Sequence, residues 1–206
     1  MPIMPTRKNP ATLKGNRVHL RLPRRSDQRM FLAQARQSRS LHRGWVRAPE
    51  TPTAFAAYVE RYHPSGATPR NLGFLIVRNE DGALAGVINF SEIVRGAFHS
   101  AYVGYYALAP LAGAGYMTEG FALALDFVFR RLKLHRVEAN VQPANGPSIA
   151  LVERIGFARE GYSRRYVKIG GRWRDHVRFA MLAEDWKARR IELRRELDAA
   201  QARSRT

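Results

Sequence analysis

The sequence predicts an α/β protein of one domain built around a mixed sheet. Three observations carry this. Tyr102 to Leu132 reads as a strand, a glycine-bearing turn and a helix with Phe121, Leu125, Val128 and Leu132 on one face. Leu72–Val77 and Leu84–Phe90 are apolar runs joined by Asn79-Glu80-Asp81-Gly82, a hairpin by its turn chemistry. Strand-like and helix-like segments then alternate to about residue 182, in the order β-α-α-β-β-β-α-β-α-β-β.

Val18–Leu22 alternates and reads as the first strand. Ser26 caps a helix that runs to about Arg39, with Asp27 in its first turn. Trp45 falls in a loop, either as a core residue or as the wall of a groove. Thr51-Pro52 is a cap followed by an N1 proline and opens a second helix through Phe55, Tyr58 and Val59. His63–Pro69 is a loop. Arg136–Val141 is a strand, ended by Pro143 and Asn145. Ser148–Ile155 is a short helix stopped by Gly156-Phe157. Ala158–Val167 and His176–Leu182 are two further strands around Gly170-Gly171. Residues 1–16 read as a loose basic arm, 17–186 as the domain, and 187–206 as a charged helical tail with Ile191, Leu193 and Leu197 as its apolar contacts.

The chain has 206 residues, of which 45% are hydrophobic, enough for a real core. No run of 18 apolar residues exists, so no membrane span is expected. The opening residues are basic without the apolar stretch of a secretory leader, which favours the cytoplasm. With no cysteine there is neither a disulfide framework nor a thiolate nucleophile, and no segment has metal-ligand spacing. The charge is +18, from 35 basic and 17 acidic residues. Residues 1–49 carry 12 Lys/Arg against Asp27 alone, and residues 159–178 carry seven against Glu160 and Asp175. That balance suits a polyanion such as RNA or a ribosome, or else a solvated arginine-rich surface.

The turn after Tyr102–Leu108 is the chemical focus. Gly113 and Gly115 let backbone approach a ligand, and the helix starting near Tyr116 opens with unpaired N–H groups and a positive dipole end. Such a turn can hold phosphates, or can simply connect a strand to a helix.

Several segments carry a family resemblance. These are Ile88-Asn89-Phe90, Val94–His99, Gly113–Gly120 with Met117-Thr118-Glu119, His135-Arg136, Gly156–Tyr162 and Gly171–Val177. Together they resemble the GNAT acetyltransferase superfamily, and within it the ribosomal-protein-alanine N-acetyltransferases of the RimJ/RimL type, the RimJ branch in particular. The resemblance covers roughly residues 17–186. It implies an acyl-CoA N-acyltransferase fold, with a mixed central sheet splayed at the cofactor site and flanked by helices. It implies transfer of acetyl from acetyl-CoA, with CoA as product and no metal, to the N-terminal α-amine of a ribosomal protein or another peptide. It also implies that the backbone of Tyr106, Ala107 and Leu108 lines the pantetheine arm. Gly113, Ala114, Gly115, Tyr116, Met117 and Thr118 cradle the pyrophosphate, and Asn145 supports the cofactor across the splay. Monomer and homodimer both fit.

Two departures from the family pattern stand out. Ala112 and Ala114 occupy positions where relatives carry Gln or Arg and Lys or Arg, so side-chain cations are missing from the turn. The tyrosine that protonates the leaving thiolate in many relatives is Val152 here. Ser148 matches the serine that takes its place in the RimJ/RimL group. The candidate catalytic residues are therefore Ser148 and Tyr105. Ser148 is alternatively a helix cap, as Asn145 is. An α-amine, with a pKa of about 7.7–8.0, needs no strong base. Glu92 and His99 lie near the site in sequence, and Glu119 is expected to cap its own helix. Asp175 and His176 are neighbours on a strand and point to opposite faces, so they read as structural rather than as a dyad. Two alternatives stay open: an acetyltransferase for a small amine, and a non-catalytic ribosome-associated protein.

Overall fold

In the computed structural model, which describes residues 12–64 and 69–203, eight strands form one mixed sheet. They are β1 (Leu13–Lys14), β2 (Val18–Arg21), β3 (Leu72–Arg78), β4 (Leu84–Val94), β5 (Ser100–Ala107), β6 (Arg136–Val141), β7 (Ala158–Ile169) and β8 (Arg172–Leu182). Their spatial order is β1-β2-β3-β4-β5-β6-β8-β7. All neighbours are antiparallel except β5 and β6. The helices are α1 (Gln28–Gln37), α2 (Arg39–His42), α3 (Pro52–Tyr62), α4 (Tyr116–Arg130), α5 (Gly146–Ile155) and α6 (Ala183–Arg203). Residues 1–11 of the expected arm, 65–68 of the expected loop and the last three of the tail lie outside the described residues.

Alternation along β3 explains why it reads as a continuous apolar run. Leu75 and Val77 face α1 and α3, while Phe74 and Ile76 face α4. The first cluster is closed by Phe31, Phe55 and Tyr58. The second is larger and joins α4, α5 and α6 to the sheet. Gly120 lets α4 lie close to β3, since a Cβ there would sit 2.6 Å from Ile76 Cδ1.

Thr51 caps α3 as its sequence predicts, its hydroxyl accepting the Ala54 N–H at 3.2 Å. The start of α1 differs from expectation. Ser26 makes no cap; residues 25–27 form a 3₁₀ turn, and the Asp27 carboxylate accepts the Arg24 N–H at 2.8 Å. That carboxylate also takes both arms of Arg21, each at 2.7 Å. An ionised acceptor with a bidentate arginine outweighs a neutral hydroxyl.

Residues 13–14, expected in the loose arm, pair with β2. The expected tail begins inside α6, which runs on directly from β8. Trp186 is buried beneath it and donates its indole N–H to Asp126 of α4 at 2.9 Å. Leu193 is buried and Leu197 packs on the same core, while Ile191 faces solvent. No helix among the described residues is long and apolar enough to cross a membrane.

Candidate acyl-transfer site

β5 and β6 part company halfway along. Their parallel register runs from Ser100↔Arg136 to Val103↔Ala139 and stops there. Beyond it β5 stays with β4, through Tyr105↔Ile88 and Ala107↔Gly86, while β6 stays with β8, to Val141↔Val177. The wedge between the two edges is a cavity of about 520 Å³. Gly104–Ala107 form one wall, Asn140–Gln142 the opposite wall, the α5 N-terminus a third, and Trp45 and Val46 a lip. Two bonds hold that frame. His42 Nε2 donates to the Ala107 carbonyl at 2.8 Å, and Gln142 Nε2 to the Gly44 carbonyl at 2.8 Å.

At the floor, the Tyr105 hydroxyl and Ser148 Oγ are 2.7 Å apart. Their positions have separate local causes. Tyr105 stands on β5 with its ring edge-to-face on Phe121 of α4, centroids 4.9 Å apart. Ser148 is the third residue of α5. The cap of that helix is Asn145, whose Oδ1 accepts the Ser148 N–H at 3.2 Å. Asn145 thus does the capping, and the Ser148 hydroxyl is left for Tyr105. Burial pushes the Tyr105 phenol well above its ordinary pKa, so it stays protonated; the bond to Ser148 offsets this in part.

The turn before α4 holds Gly113 and Gly115 both at φ +82°, the left-handed region. The N–H groups of Thr118 and Glu119 return to the Gly115 carbonyl. The donors before them in the turn have no acceptor among the described residues, and they stand at the positive end of a helix of 15 residues. The turn is seated by Met117 over Gly86, where a Cβ would also lie 2.8 Å from the Tyr106 carbonyl. Arg17 reaches the turn from the start of β2. Its guanidinium donates to the Ala114 carbonyl at 2.9 Å and lies 4.2 Å above the Tyr116 ring. Arg17 and then Arg78 lower the Tyr116 pKa. Cations therefore do stand at this turn, supplied from strand ends rather than from positions 112 and 114.

Ser148, Tyr105, Tyr106, Ala107, Gly113, Gly115, Met117, Thr118 and Asn145 all line the cavity. Tyr106 does so from the face opposite Tyr105: its ring meets His42 edge-on at 5.1 Å, and its buried hydroxyl has no partner among the described residues. Leu108 does not line the cavity. Its side chain is fully buried under α1 and α3, its N–H goes to the Ala85 carbonyl and its own carbonyl takes the Leu111 N–H. Ala114 and Tyr116 sit on the outer side of the turn against Arg17. Glu119 does not cap its own helix; its carboxylate accepts the Arg17 backbone N–H at 2.9 Å.

His176 belongs to the site, which strand alternation alone did not show. Asp175 faces away, accepting from Tyr162 and Arg165, as expected of a neighbour on the opposite face. The His176 ring is buried and lines the cavity. Its Nδ1 is 3.0 Å from the Arg174 carbonyl, which can only accept. The proton is thus on Nδ1, and the Nε2 lone pair has no partner among the described residues. Desolvation lowers its pKa, which favours the neutral ring. The signal that could have pointed to it was its place opposite the end of β6, where the sheet opens.

The residues fit an acyl-CoA. A run of open backbone donors at a helix start suits a pyrophosphate. A narrow wedge between two strand edges suits an extended arm, and it ends on a hydroxyl pair. No cluster of three metal-ligating side chains occurs among the described residues.

Residues 17–158 match the model of the acetyltransferase (GNAT) domain. A probable N-acetyltransferase of Bacillus subtilis, YjcK, is 42% identical over 54% of the chain and 62% of its own length. The Escherichia coli [ribosomal protein uS5]-alanine N-acetyltransferase is 37% identical over 62% of the chain and 64% of its own length. Both matches span less than two thirds of the relative. Among solved structures, Mycobacterium smegmatis RimJ in complex with CoA-disulfide superimposes with a TM-score of 0.82 at 28% identity, covering 93% of this chain and 95% of that one. With the wedge, the glycine turn and the matched segment in agreement, the chain is a member of the GNAT acetyltransferase family.

Proposed function

We propose that the protein transfers an acetyl group from acetyl-CoA to the N-terminal α-amine of a protein, and that a ribosomal protein is the acceptor. The observation that carries the chemistry is the Tyr105–Ser148 pair at the closed end of the wedge. The ribosomal acceptor is supported by the name of the Escherichia coli relative.

Bound acetyl-CoA supplies an activated thioester. The chain's own residues do the rest. The turn at 113–118 and its helix dipole hold the diphosphate. The two strand edges align the arm and exclude water. The acceptor nitrogen attacks the thioester carbon, a C–N bond forms and the C–S bond breaks. Ser148 Oγ passes a proton to the departing sulfur and is resupplied through the Tyr105 hydroxyl, which burial keeps protonated. The amine gives up its own proton, for which the open Nε2 of neutral His176 is the acceptor within the cavity. An α-amine with a pKa of about 7.7–8.0 is partly neutral near pH 7, whereas a lysine at about 10.4 is not. A base as weak as a desolvated histidine therefore suits an N-terminus better than a side chain.

The test is acetylation of synthetic peptides that differ only in their first residue, followed by intact mass. The reading expects one acetyl group on the α-amine and none on an internal lysine. Intact masses of ribosomal proteins from cells with and without the gene then identify the acceptor. Acetylation of lysine side chains or of a small polyamine in preference to any peptide N-terminus overturns the reading.

A further inference from the structure

β7 and β8 outrun the rest of the sheet. β6 bonds to β8 only as far as Val141↔Val177, so residues 163–176 form a two-stranded ribbon beyond that edge. The ribbon is not regular. Between Ser163↔His176 and Val167↔Arg174, three residues of β7 stand opposite Asp175 alone. Arg165 within this bulge has φ +47°, a conformation that a long side chain adopts only when its surroundings enforce it. Asp175 enforces it, accepting the Arg165 N–H at 2.7 Å and the Tyr162 hydroxyl at 2.6 Å. The bulge takes Arg164 and Arg165 out of the ladder.

Charge and aromatic rings are interleaved here. Of the two acids in residues 159–178, Glu160 is held by Arg136 and Asp175 by the bulge. Arg164, Arg165, Lys168 and Arg172 are exposed, and none is within ion-pair distance of a carboxylate among the described residues. Beside them Tyr162 is 50% exposed, Tyr166 37% and Trp173 60%. Cations alone on an edge strand are a common guard against strand-to-strand association. Open rings such as Trp173 and Tyr162 are not, since they add the apolar surface that such a guard removes, whereas Tyr166 leans on the His176 ring.

The geometry points to an RNA-binding ribbon, with the exposed cations on phosphates and Trp173 and Tyr162 stacked on unpaired bases. Rings that need exposed base faces favour single-stranded RNA over duplex, and over an acidic peptide, which offers charge without flat partners. The ribbon also borders the acyl-transfer site. Ile169 and His176 line its cavity, and Lys168–Gly171 face Trp45–Arg47 across a shallow groove. RNA on the ribbon would lie beside the acceptor entrance, where it could present a protein N-terminus embedded in a ribonucleoprotein. RNA binding goes beyond the acetyl-transfer reading and does not depend on it.

The test uses the full chain and a fluorescent oligouridine, with anisotropy measured across a potassium chloride series. Wild-type affinity should fall steeply with salt. Arg164→Glu combined with Lys168→Glu and Arg172→Glu should weaken binding at least about 50-fold at low salt. The triple variant should also flatten the log–log salt slope by about 2, since each lost phosphate contact on a single strand is worth about 0.7. Trp173→Ala should weaken binding by about 5- to 100-fold with the slope unchanged, the signature of lost stacking. Acetylation of a free peptide serves as the fold control and should stay at the wild-type rate in both variants. The proposal is overturned if wild type fails to bind at low salt, or if both variants bind as wild type does. It is also overturned if polyglutamate displaces the RNA as well as unlabelled oligouridine does. Failure of acetyl transfer with RNA binding intact would instead count against the reading of the cavity.

Discussion

Tyr105 and Ser148 are brought together from β5 and α5 so that their hydroxyl oxygens lie 2.7 Å apart, while Asn145 takes over the capping of α5. The division of labour is separable by mutation. Ser148→Ala should cut kcat by about 10²-fold or more, the usual scale for a positioned proton donor, with acetyl-CoA affinity nearly unchanged and the melting temperature close to wild type. Tyr105→Phe should lower kcat less, because Ser148 remains. Asn145→Ala should show the converse, a loss of about 1 kcal/mol in stability and a smaller effect on turnover. Steady-state kinetics on one N-terminal alanine peptide and a urea titration of each variant check this. Normal kcat in Ser148→Ala removes the hydroxyl from the chemistry.

Arg17 should matter to the cofactor and not to the chemistry. Its guanidinium holds the Ala114 carbonyl at the outside of the glycine turn. Arg17→Gln should raise the acetyl-CoA KM by about 5- to 20-fold, in line with about 1–2 kcal/mol for a charge-assisted bond at a partly exposed site, and leave kcat within about twofold. That split is the mark of uniform binding. Ala112→Gln with Ala114→Lys should tighten the cofactor and recover part of the Arg17→Gln loss.

Gly113 sits at φ +82°, which proline cannot reach. Gly113→Pro should abolish acetyl-CoA binding by isothermal calorimetry, while circular dichroism stays native. A Cβ at Gly113 would meet nothing within 4 Å, so Gly113→Ala should cost only the backbone strain, about 1 kcal/mol. Gly120→Ala tests packing instead. Its Cβ would press on Ile76 at 2.6 Å, and the domain should lose about 1–3 kcal/mol.

His176 gives stability a pH dependence of known sign. Desolvation lowers its folded pKa below the unfolded value of about 6.5. In the window just below that value the unfolded chain binds the extra proton, so unfolding becomes easier as pH falls. Stability attributable to His176 should be complete above about pH 7 and shrink on acidification below about 6.5. Asp175 and Glu160 act in a lower window, because their pKa values are depressed and their contributions fade only as the carboxylates protonate. Urea midpoints at pH 7.5 and 5.5 should differ less in His176→Asn than in wild type. An equal acid shift in both would show that this ring does not titrate on unfolding.

Local chemistry wrote much of this molecule in a form that can be read without coordinates. The hairpin at 79–82, the cap at Thr51-Pro52, the strand at 136–141 and the glycine turn each depend on a few neighbouring residues, and periodicity plus turn chemistry report them. Ser148 and Tyr105 were also legible as candidates, though not whether Ser148 capped its helix. What lay beyond the sequence depends on partners far apart along the chain. Arg17 meets Ala114 across 97 positions, and Tyr105 meets Ser148 across 43. The opening between β5 and β6 exists because each strand finds a different neighbour after Val103 and Ala139, a choice that no local pattern encodes. His176 turned from a strand residue into a cavity residue for the same reason. Sequence sets which face a side chain takes; only the packing of distant elements decides what that face looks upon.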